Sequence, residues 1–265
     1  MLIRSSATVL RMFPWSNTSK YVVWLTPGHG KLLTLIRGAQ RPKSFFLGQL
    51  DLFYTCDLVW YAREHRSLHA AREAAPLNTH PRLRSDWAAC AAASYATDVL
   101  YRALPFDAPA PGCFELLDQT LDALANGRAP VDILVWHDLG VLDRMGFRPR
   151  IDSCTACGVR LVPEQPRSLS IGRGGFLCQR CADADPNRDS VSIDGKIVAY
   201  LSALQRTGAA DRAPPASSAV RMSAFGILGR LLQYHLNLPL PSRTRAWEIL
   251  EAYRTRRAQT AAGAT

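Results

Sequence analysis

The chain has 265 residues, of which 48% are hydrophobic, and this is enough for one large domain or two to three small ones with real cores. The 32 Lys and Arg residues outnumber the 22 Asp and Glu residues, so the formal charge is +10 and the pI is about 9.6, which favours an anionic partner. Arg4 interrupts the apolar start and no uncharged stretch of ~20 apolar residues follows, so we expect neither a secretory signal peptide nor a membrane span.

The segment before Asp51 contains no acidic residue. Its basic residues are Arg4, Arg11, Lys20, Lys31, Arg37, Arg41 and Lys43. A solvated surface usually mixes both signs of charge, so a segment with one sign indicates a surface that meets polyanions. A chance bias in composition is the alternative explanation.

Short runs rich in β-branched and aromatic residues predict strands in the first third of the chain. The predicted strands are Ala7–Met12, Lys20–Thr26, Lys31–Arg37, Leu52–Tyr61 and Leu68–Ala74. No long helical pattern separates them, which favours a small closed barrel over residues 1–80. An oligonucleotide-binding (OB) fold is the commonest candidate with this number of strands, and an SH3-like barrel is the alternative.

The loop Arg37–Ser44 lies between the third and fourth predicted strands. Gly38 lets backbone N–H groups approach a phosphate, and basic side chains with Phe45 and Phe46 beside them suit a single strand of nucleic acid. Trp15, in a predicted turn, is a further stacking candidate. The candidate contacts are Arg11, Lys20, Lys31, Arg37, Arg41 and Lys43. A solvated loop whose phenylalanines belong to the core is the alternative.

Helical patterns dominate the remainder of the chain. The predicted helices are Asp86–Leu104 with Ser85 as its cap, Cys113–Asn126, Pro130–Gly146, Ser190–Arg206, Ser218–Leu236 and Ser242–Arg257. Residues 208–218 are predicted to be a linker, and 258–265 a disordered tail.

Two polar features of these helices have ordinary explanations. His137 and Asp138 are expected at a solvated edge of their helix. The arginines of the C-terminal tract are Arg243, Arg245, Arg254, Arg256 and Arg257. Several stand near a helix end, where they favour the helix dipole, and a second anion-binding surface is the other interpretation.

Two Cys-x-x-Cys pairs, Cys154/Cys157 and Cys178/Cys181, interrupt the helical region. This spacing predicts a structural site for Zn²⁺, because two intervening residues let both thiolates of a pair turn onto one ion. Redox dithiols or buried free thiols are the alternative. The nearby basic residues Arg160, Arg173 and Arg180 offset the thiolate charge. The other three cysteines show no disulfide framework, which favours a reducing, cytoplasmic compartment.

Motifs of the common enzyme classes are missing from the sequence: we find no phosphate-binding Gly-Lys-Ser/Thr loop, no Gly-x-Ser-x-Gly elbow and no His-Glu-x-x-His. Four thiolates also leave a zinc ion no position for water. We therefore expect a binding protein and not an enzyme.

With these features in place, the chain resembles the RecO family of bacterial recombination mediators over nearly its whole length. The segments that carry the resemblance are Ala7–Leu10, Thr18–Lys20, Leu25–Gly30, Arg37–Ser44, Gly146–Pro149, the four cysteines and Tyr234–Leu236. Gln40 stands where the family usually has a basic residue, which puts one phosphate contact in doubt.

The resemblance implies an α+β multidomain fold: an OB barrel at 1–80, a helical domain at 81–149 and 186–257, and an inserted zinc ribbon-like module at 150–185. It implies a cytoplasmic, nucleoid-associated protein of DNA repair that binds single- and double-stranded DNA and anneals complementary strands. With RecR, such a protein helps RecA replace single-strand-binding protein, whose acidic C-terminal tail it recognises. An RNA-binding translation or transcription factor with a zinc ribbon is the alternative function, and a metal-dependent nuclease is a more distant one.

Overall fold

The computed structural model describes residues 1–62, 67–162, 165–185, 190–208 and 213–262, with side chains as far as Arg256. The chain divides into two compact units, Met1–Ala125 and Asn126–Thr265. The structure is α+β, with a five-stranded sheet in the first unit. Within the described ranges, no helix has the length and apolar character needed to cross a lipid bilayer.

The first unit is built around a closed barrel. Its strands are β1 (Leu2–Pro14), β2 (Lys20–Thr26), β3 (Gly30–Ile36), β4 (Thr55–Tyr61) and β5 (Leu68–Asn78). They pair in the order β1-β2-β3-β5-β4, and β4 pairs again with β1. All pairs are antiparallel except β3 with β5. All five predicted strands are therefore present, and β1 and β5 are longer than predicted.

The barrel core explains why the central strands are apolar on nearly every position. Trp24 and Trp60 are buried among smaller apolar side chains of all five strands. The Trp24 indole N–H donates to Thr34 Oγ1 at 2.8 Å, so its burial leaves no polar atom unpaired. Trp24 is therefore a core residue of the barrel.

Among the described residues of the first unit, three helices follow the barrel: α1 (Arg82–Ser85), α2 (Trp87–Ala103) and α3 (Cys113–Ala125). Ser85, predicted to cap α2, is instead the last residue of α1. Asp86 is the cap, and its carboxylate accepts from the N–H groups of Ala88 and Ala89 at 3.0 and 3.1 Å. The carboxylate is preferred because its charge also favours the positive end of the helix dipole.

The second unit combines helices with a small sheet. Its elements are α4 (Pro130–Arg144), β6 (Arg167–Ser170), β7 (Gly175–Leu177), α5 (Gln179–Asp183), β8 (Ser190–Ile193), α6 (Gly195–Thr207), α7 (Ser218–Leu236) and α8 (Pro241–Ala262). The sheet order is β7-β6-β8, and α7 packs against α4 and α6. Ser217 caps the start of α7. Asn237, directly after its last residue, adopts a left-handed conformation, so both ends match the prediction.

Residues Ser190–Ile193 form a strand, and the prediction that a helix begins at Ser190 is wrong. Val191 and Ile193 alternate with serines, which is the two-residue period of a strand, and β8 pairs with β6. The helix begins only after Asp194, whose carboxylate accepts from the Lys196 N–H at 2.7 Å. The small sheet thus extends past residue 185, the predicted limit of the zinc module.

The end of the chain also differs from expectation. Helix α8 continues to Ala262 and so enters the segment predicted as a disordered tail, while 263–265 lie outside the described residues. Within the predicted linker, Gly208 ends α6 with a φ of 61°, and 209–212 lie outside the described residues.

Candidate nucleic-acid interface and metal centre

The loop after β3 is attached to the turn between β1 and β2. The Gly38 N–H donates to Ser19 Oγ at 3.1 Å, and the Gln40 N–H donates to the Thr18 carbonyl oxygen at 3.0 Å. Gly38 has a φ of 64°, which glycine adopts without strain, and Ala39 is buried in the barrel core. These contacts hold the loop backbone on one edge of the barrel.

Three predicted cationic contacts project from this loop. Arg37, Arg41 and Lys43 are all exposed. Within the part of the chain that the structure describes, no carboxylate lies in ion-pair distance of any of them. Lys20 lies nearby on β2, where it pairs with Ile36, the residue before Arg37. The structure therefore brings four of the six predicted contacts to one edge, and we call Lys20, Arg37, Arg41 and Lys43 the basic edge.

Aromatic side chains accompany the basic edge. Phe45 is 94% exposed, whereas Phe46 packs against the barrel core. Trp15 lies in the turn that the loop is bonded to and is 51% exposed, with its ring 6.3 Å from the Tyr21 ring. Phe45 and Trp15 thus offer ring faces to a ligand, and Phe46 does not.

Lys31, a predicted DNA contact, is buried in this structure and has partners inside the protein. The residue is only 5% exposed, and its Nζ donates to the Tyr101 carbonyl oxygen at 2.5 Å. The ammonium group also lies 4.2 Å from the centre of the Phe106 ring, which provides a cation–π contact. Burial lowers the pKa of Lys31 to about 8.

Two other early arginines also have intramolecular partners. Arg11 lies over the Tyr101 ring at 4.8 Å and stands 4.0 Å from an Asp98 carboxylate oxygen. Across the β1–β4 pair, Arg4 Nε donates to both carboxylate oxygens of Asp57 at 3.0 Å. These hydrogen bonds lower the pKa of Asp57. Some of the basic residues before Asp51 are therefore engaged within the protein, and the free positive charge is not spread evenly over the barrel surface.

The four cysteines of the second unit converge. The Sγ atoms of Cys154, Cys157, Cys178 and Cys181 all lie within 4.8 Å of one another, and the Cys157–Cys178 separation is 3.7 Å. A tetrahedral zinc ion with Zn–S bonds of about 2.3 Å needs sulfurs about 3.8 Å apart. The donor set and its spacing fit a structural Zn²⁺.

Local backbone geometry shapes the knuckle of the first cysteine pair, Cys154 and Cys157. The Gly158 N–H donates to the Cys154 carbonyl oxygen at 2.9 Å, and Gly158 closes this first knuckle with a φ of 75°. Burial raises the pKa of the Cys154 thiol, but backbone N–H groups at Cys178, Cys157 and Ala156 lower it, and the result is about 6. These N–H groups stabilise the thiolate form that binds a metal.

Residues His137 and Asp138 are fully buried, so their predicted place at a solvated edge is wrong. Asp138 Oδ2 accepts from Arg243 Nη1 at 2.7 Å. The Arg243 guanidinium also donates to the Phe225 carbonyl oxygen and lies 3.7 Å from the centre of the Phe225 ring. Arg243 therefore braces α8 against α4 and α7, and is not part of an anion-binding surface. Sequence reasoning missed this pair because its members are 105 residues apart.

Comparison with known proteins identifies the family. The family description "Recombination protein O N terminal" matches residues 1–80, and "Recombination protein O C terminal" matches residues 84–244. A protein named DNA repair protein RecO from Anaeromyxobacter sp. (strain Fw109-5) is 31% identical over 244 residues, which cover 91% of this chain and 94% of that protein. Its namesake from Bacillus pumilus (strain SAFR-032) is 32% identical over 188 residues, which cover 70% of this chain and 71% of that protein. The chain therefore belongs to the RecO family of DNA repair proteins.

Proposed function

We propose that this protein is a recombination mediator that binds single- and double-stranded DNA through the basic edge of an OB barrel and anneals complementary strands. With RecR, it would help RecA assemble on DNA covered by single-strand-binding protein, whose acidic C-terminal tail it would recognise, at the bacterial nucleoid. The observation that carries this proposal is the group of exposed, unpaired cations Arg37, Arg41 and Lys43 beside the exposed ring of Phe45. The strand order β1-β2-β3-β5-β4 of a closed barrel supports the OB assignment.

The physical basis of annealing is charge neutralisation. Two DNA strands repel each other through their phosphates, and a protein that neutralises part of that charge lowers the repulsion without any covalent step. An exposed aromatic ring can hold unpaired bases by stacking until they meet their complements. We assign no catalytic residue, because this activity needs only binding and release. Zn²⁺ held by Cys154, Cys157, Cys178 and Cys181 would stabilise the fold of the second unit and take no part in a reaction.

The basic edge is tested by the salt dependence of DNA binding. We expect the variant Arg37→Ala/Arg41→Ala/Lys43→Ala to bind more weakly, and the slope of log K against log salt to flatten by roughly 2 for single strands and nearly 3 for duplex DNA. Fluorescence anisotropy with a labelled oligonucleotide at a series of salt concentrations measures both quantities. Strand annealing should slow in parallel.

The matched control is Arg72→Ala/Arg82→Ala/Arg84→Ala. It removes the same number of charges from exposed positions of the first unit, each of which is already paired with a carboxylate. We expect its salt slope to stay close to that of the unaltered protein. Equal slopes for the two triple variants would contradict the assignment. A strong preference for RNA over single-stranded DNA would favour a translation or transcription factor instead.

Phe45 provides a separate test of base stacking. We expect Phe45→Ala to lower the affinity for single-stranded DNA by ~1–3 kcal/mol, because stacking on an aromatic ring contributes that amount per base. Duplex affinity should be unchanged, since duplex bases are already stacked, and stability should be unchanged because the side chain is 94% exposed. Leu47→Ala, two residues away and 52% exposed, is the control. Unaltered affinity of Phe45→Ala for single strands would remove Phe45 from the interface.

A further inference from the structure

Two segments of the second unit that are far apart in the sequence meet at one groove. The Phe147 ring, which follows α4, stacks on the His235 ring near the end of α7, with ring centres 5.0 Å apart and planes 25° apart. The groove is a cavity of about 360 Å³. Its lining includes Phe147, His235 and three arginines, Arg148, Arg150 and Arg173. We call it the arginine groove. No residue of either segment belongs to the basic edge.

The turn between β6 and β7 forms one wall of the arginine groove and is fixed to its neighbours. His235 Nε2 donates to the Ile171 carbonyl oxygen at 2.9 Å. Gly174 has a φ of 66°, and a Cβ at this position would lie 3.4 Å from His235 Nε2. Glycine adopts this left-handed conformation without strain, and the His235–Ile171 hydrogen bond holds the imidazole against the turn.

A second set of backbone contacts holds the segment that carries Arg150. The Arg150 N–H donates to the Gly174 carbonyl oxygen at 3.1 Å, and the Arg150 carbonyl oxygen accepts from the Phe176 N–H at 2.9 Å. The Thr155 N–H, inside the first cysteine knuckle, donates to the Phe176 carbonyl oxygen at 2.9 Å. The metal centre and the arginine groove thus share one hydrogen-bonded framework.

The three arginines of the groove are only partly neutralised. Arg148 stands 3.5 Å from Asp143, and Arg173 stands 3.9 Å from Asp185, both with about half of the side chain exposed. Arg150 is exposed and has no carboxylate in ion-pair distance among the described residues. Three guanidinium groups therefore face two carboxylates, which leaves an excess positive charge in a concave site that can focus it on an anion.

We infer that the arginine groove is a second DNA contact, which takes the phosphodiester backbone of a single strand next to the exposed rings of Phe147 and Tyr234. The inference rests on the proposed function in that it takes DNA as the ligand. Phe147 is 39% exposed and Tyr234 is 61% exposed. Ring faces beside guanidinium groups are the combination by which proteins hold single strands without sequence preference, since phosphates pair with the cations while bases stack.

A second contact on the same chain has a consequence for annealing. A protein that holds one strand at the basic edge and another at the arginine groove brings both to a high local concentration. Loss of the groove is therefore expected to slow annealing more than it weakens the binding of a short oligonucleotide.

The test compares Arg148→Ala/Arg150→Ala with Arg206→Ala/Arg230→Ala, which removes the same charge from exposed positions of the second unit. Both pairs are made in the full chain, with and without the basic-edge substitutions, and the probe is a labelled oligothymidylate. In the background without the basic edge, we expect the groove variant to flatten the remaining salt slope by about 1.4, which is two single-strand phosphate contacts. The control pair should leave that slope unchanged.

The outcomes separate the two interfaces. If the basic-edge variant alone binds DNA normally while the groove variant does not, the proposed barrel interface fails and the groove stands. Equal slopes for the groove and control pairs overturn the groove as a DNA contact. Normal DNA binding by the groove variant together with lost binding of an acidic C-terminal peptide would also overturn it, in favour of a protein partner.

Discussion

Replacing Cys154 and Cys178 with serine is expected to abolish zinc binding and to unfold the sheet around the metal centre. The four Sγ atoms lie within 4.8 Å of one another, so removal of one ligand from each knuckle leaves only two thiolates for the ion. Structural zinc contributes roughly 10–16 kcal/mol of apparent binding free energy in small zinc domains, which exceeds the whole stability of many of them. We expect zinc near one ion per chain in the unaltered protein and near zero in the double variant.

Metal analysis of the purified chain and thermal unfolding measure this result directly. The control is Cys90→Ser, since Cys90 lies on α2 in the other unit and outside the cysteine cluster. Its zinc content should equal that of the unaltered protein. A double variant that keeps stoichiometric zinc would contradict the four-cysteine site. DNA binding at the basic edge should survive the loss of zinc if the barrel unit stays folded.

Removing the Arg243 guanidinium is expected to cost about 3–5 kcal/mol of the free energy of unfolding, the range measured when one partner of a buried ion pair is deleted. Asp138 is fully buried, and Arg243 Nη1 donates to its Oδ2 at 2.7 Å. In Arg243→Ala, the carboxylate would lose this charge-assisted bond without gaining water. Denaturant unfolding monitored by circular dichroism measures the change.

The same helix provides the control for Arg243. Arg245 is exposed, so Arg245→Ala should change the stability by less than about 0.5 kcal/mol. The double variant Arg243→Met/Asp138→Leu should recover much of the loss, because replacing both partners leaves no unpaired charge. An Arg243→Ala variant as stable as Arg245→Ala would show that this pair does not brace the unit.

Gly229 on α7 is consistent with the buried position of the Arg243 side chain. A Cβ at Gly229 would lie 2.1 Å from Arg243 Nε, so only glycine leaves room for the guanidinium beside this turn of α7. Glycine inside a helix is unfavourable by roughly 1 kcal/mol relative to alanine, and here its missing side chain makes the space that the Arg243 guanidinium occupies.

Elements whose signals are local were predictable. Strand β2 and helix α7 have the bounds that the sequence predicts, because β-branched and aromatic residues make up most of β2, and Ser217 and Asn237 mark both ends of α7. The four cysteines were also predictable, since metal coordination constrains the spacing within each knuckle to a few residues. Strand β8 was missed, because its short two-residue alternation has a meaning only beside its partner β6.

The sequence by itself determined the barrel strands, most of the helices, the two cysteine pairs and the basic composition of the loop after β3. The tertiary structure decided which charges are available: it buries Lys31 against Tyr101, engages Arg4 with Asp57, pairs Arg243 with Asp138 and gathers Arg148, Arg150 and Arg173 at one groove. The physical reason is that secondary structure follows from the spacing of neighbours along the chain. Whether a cation faces water or a buried partner depends on residues that only folding brings together.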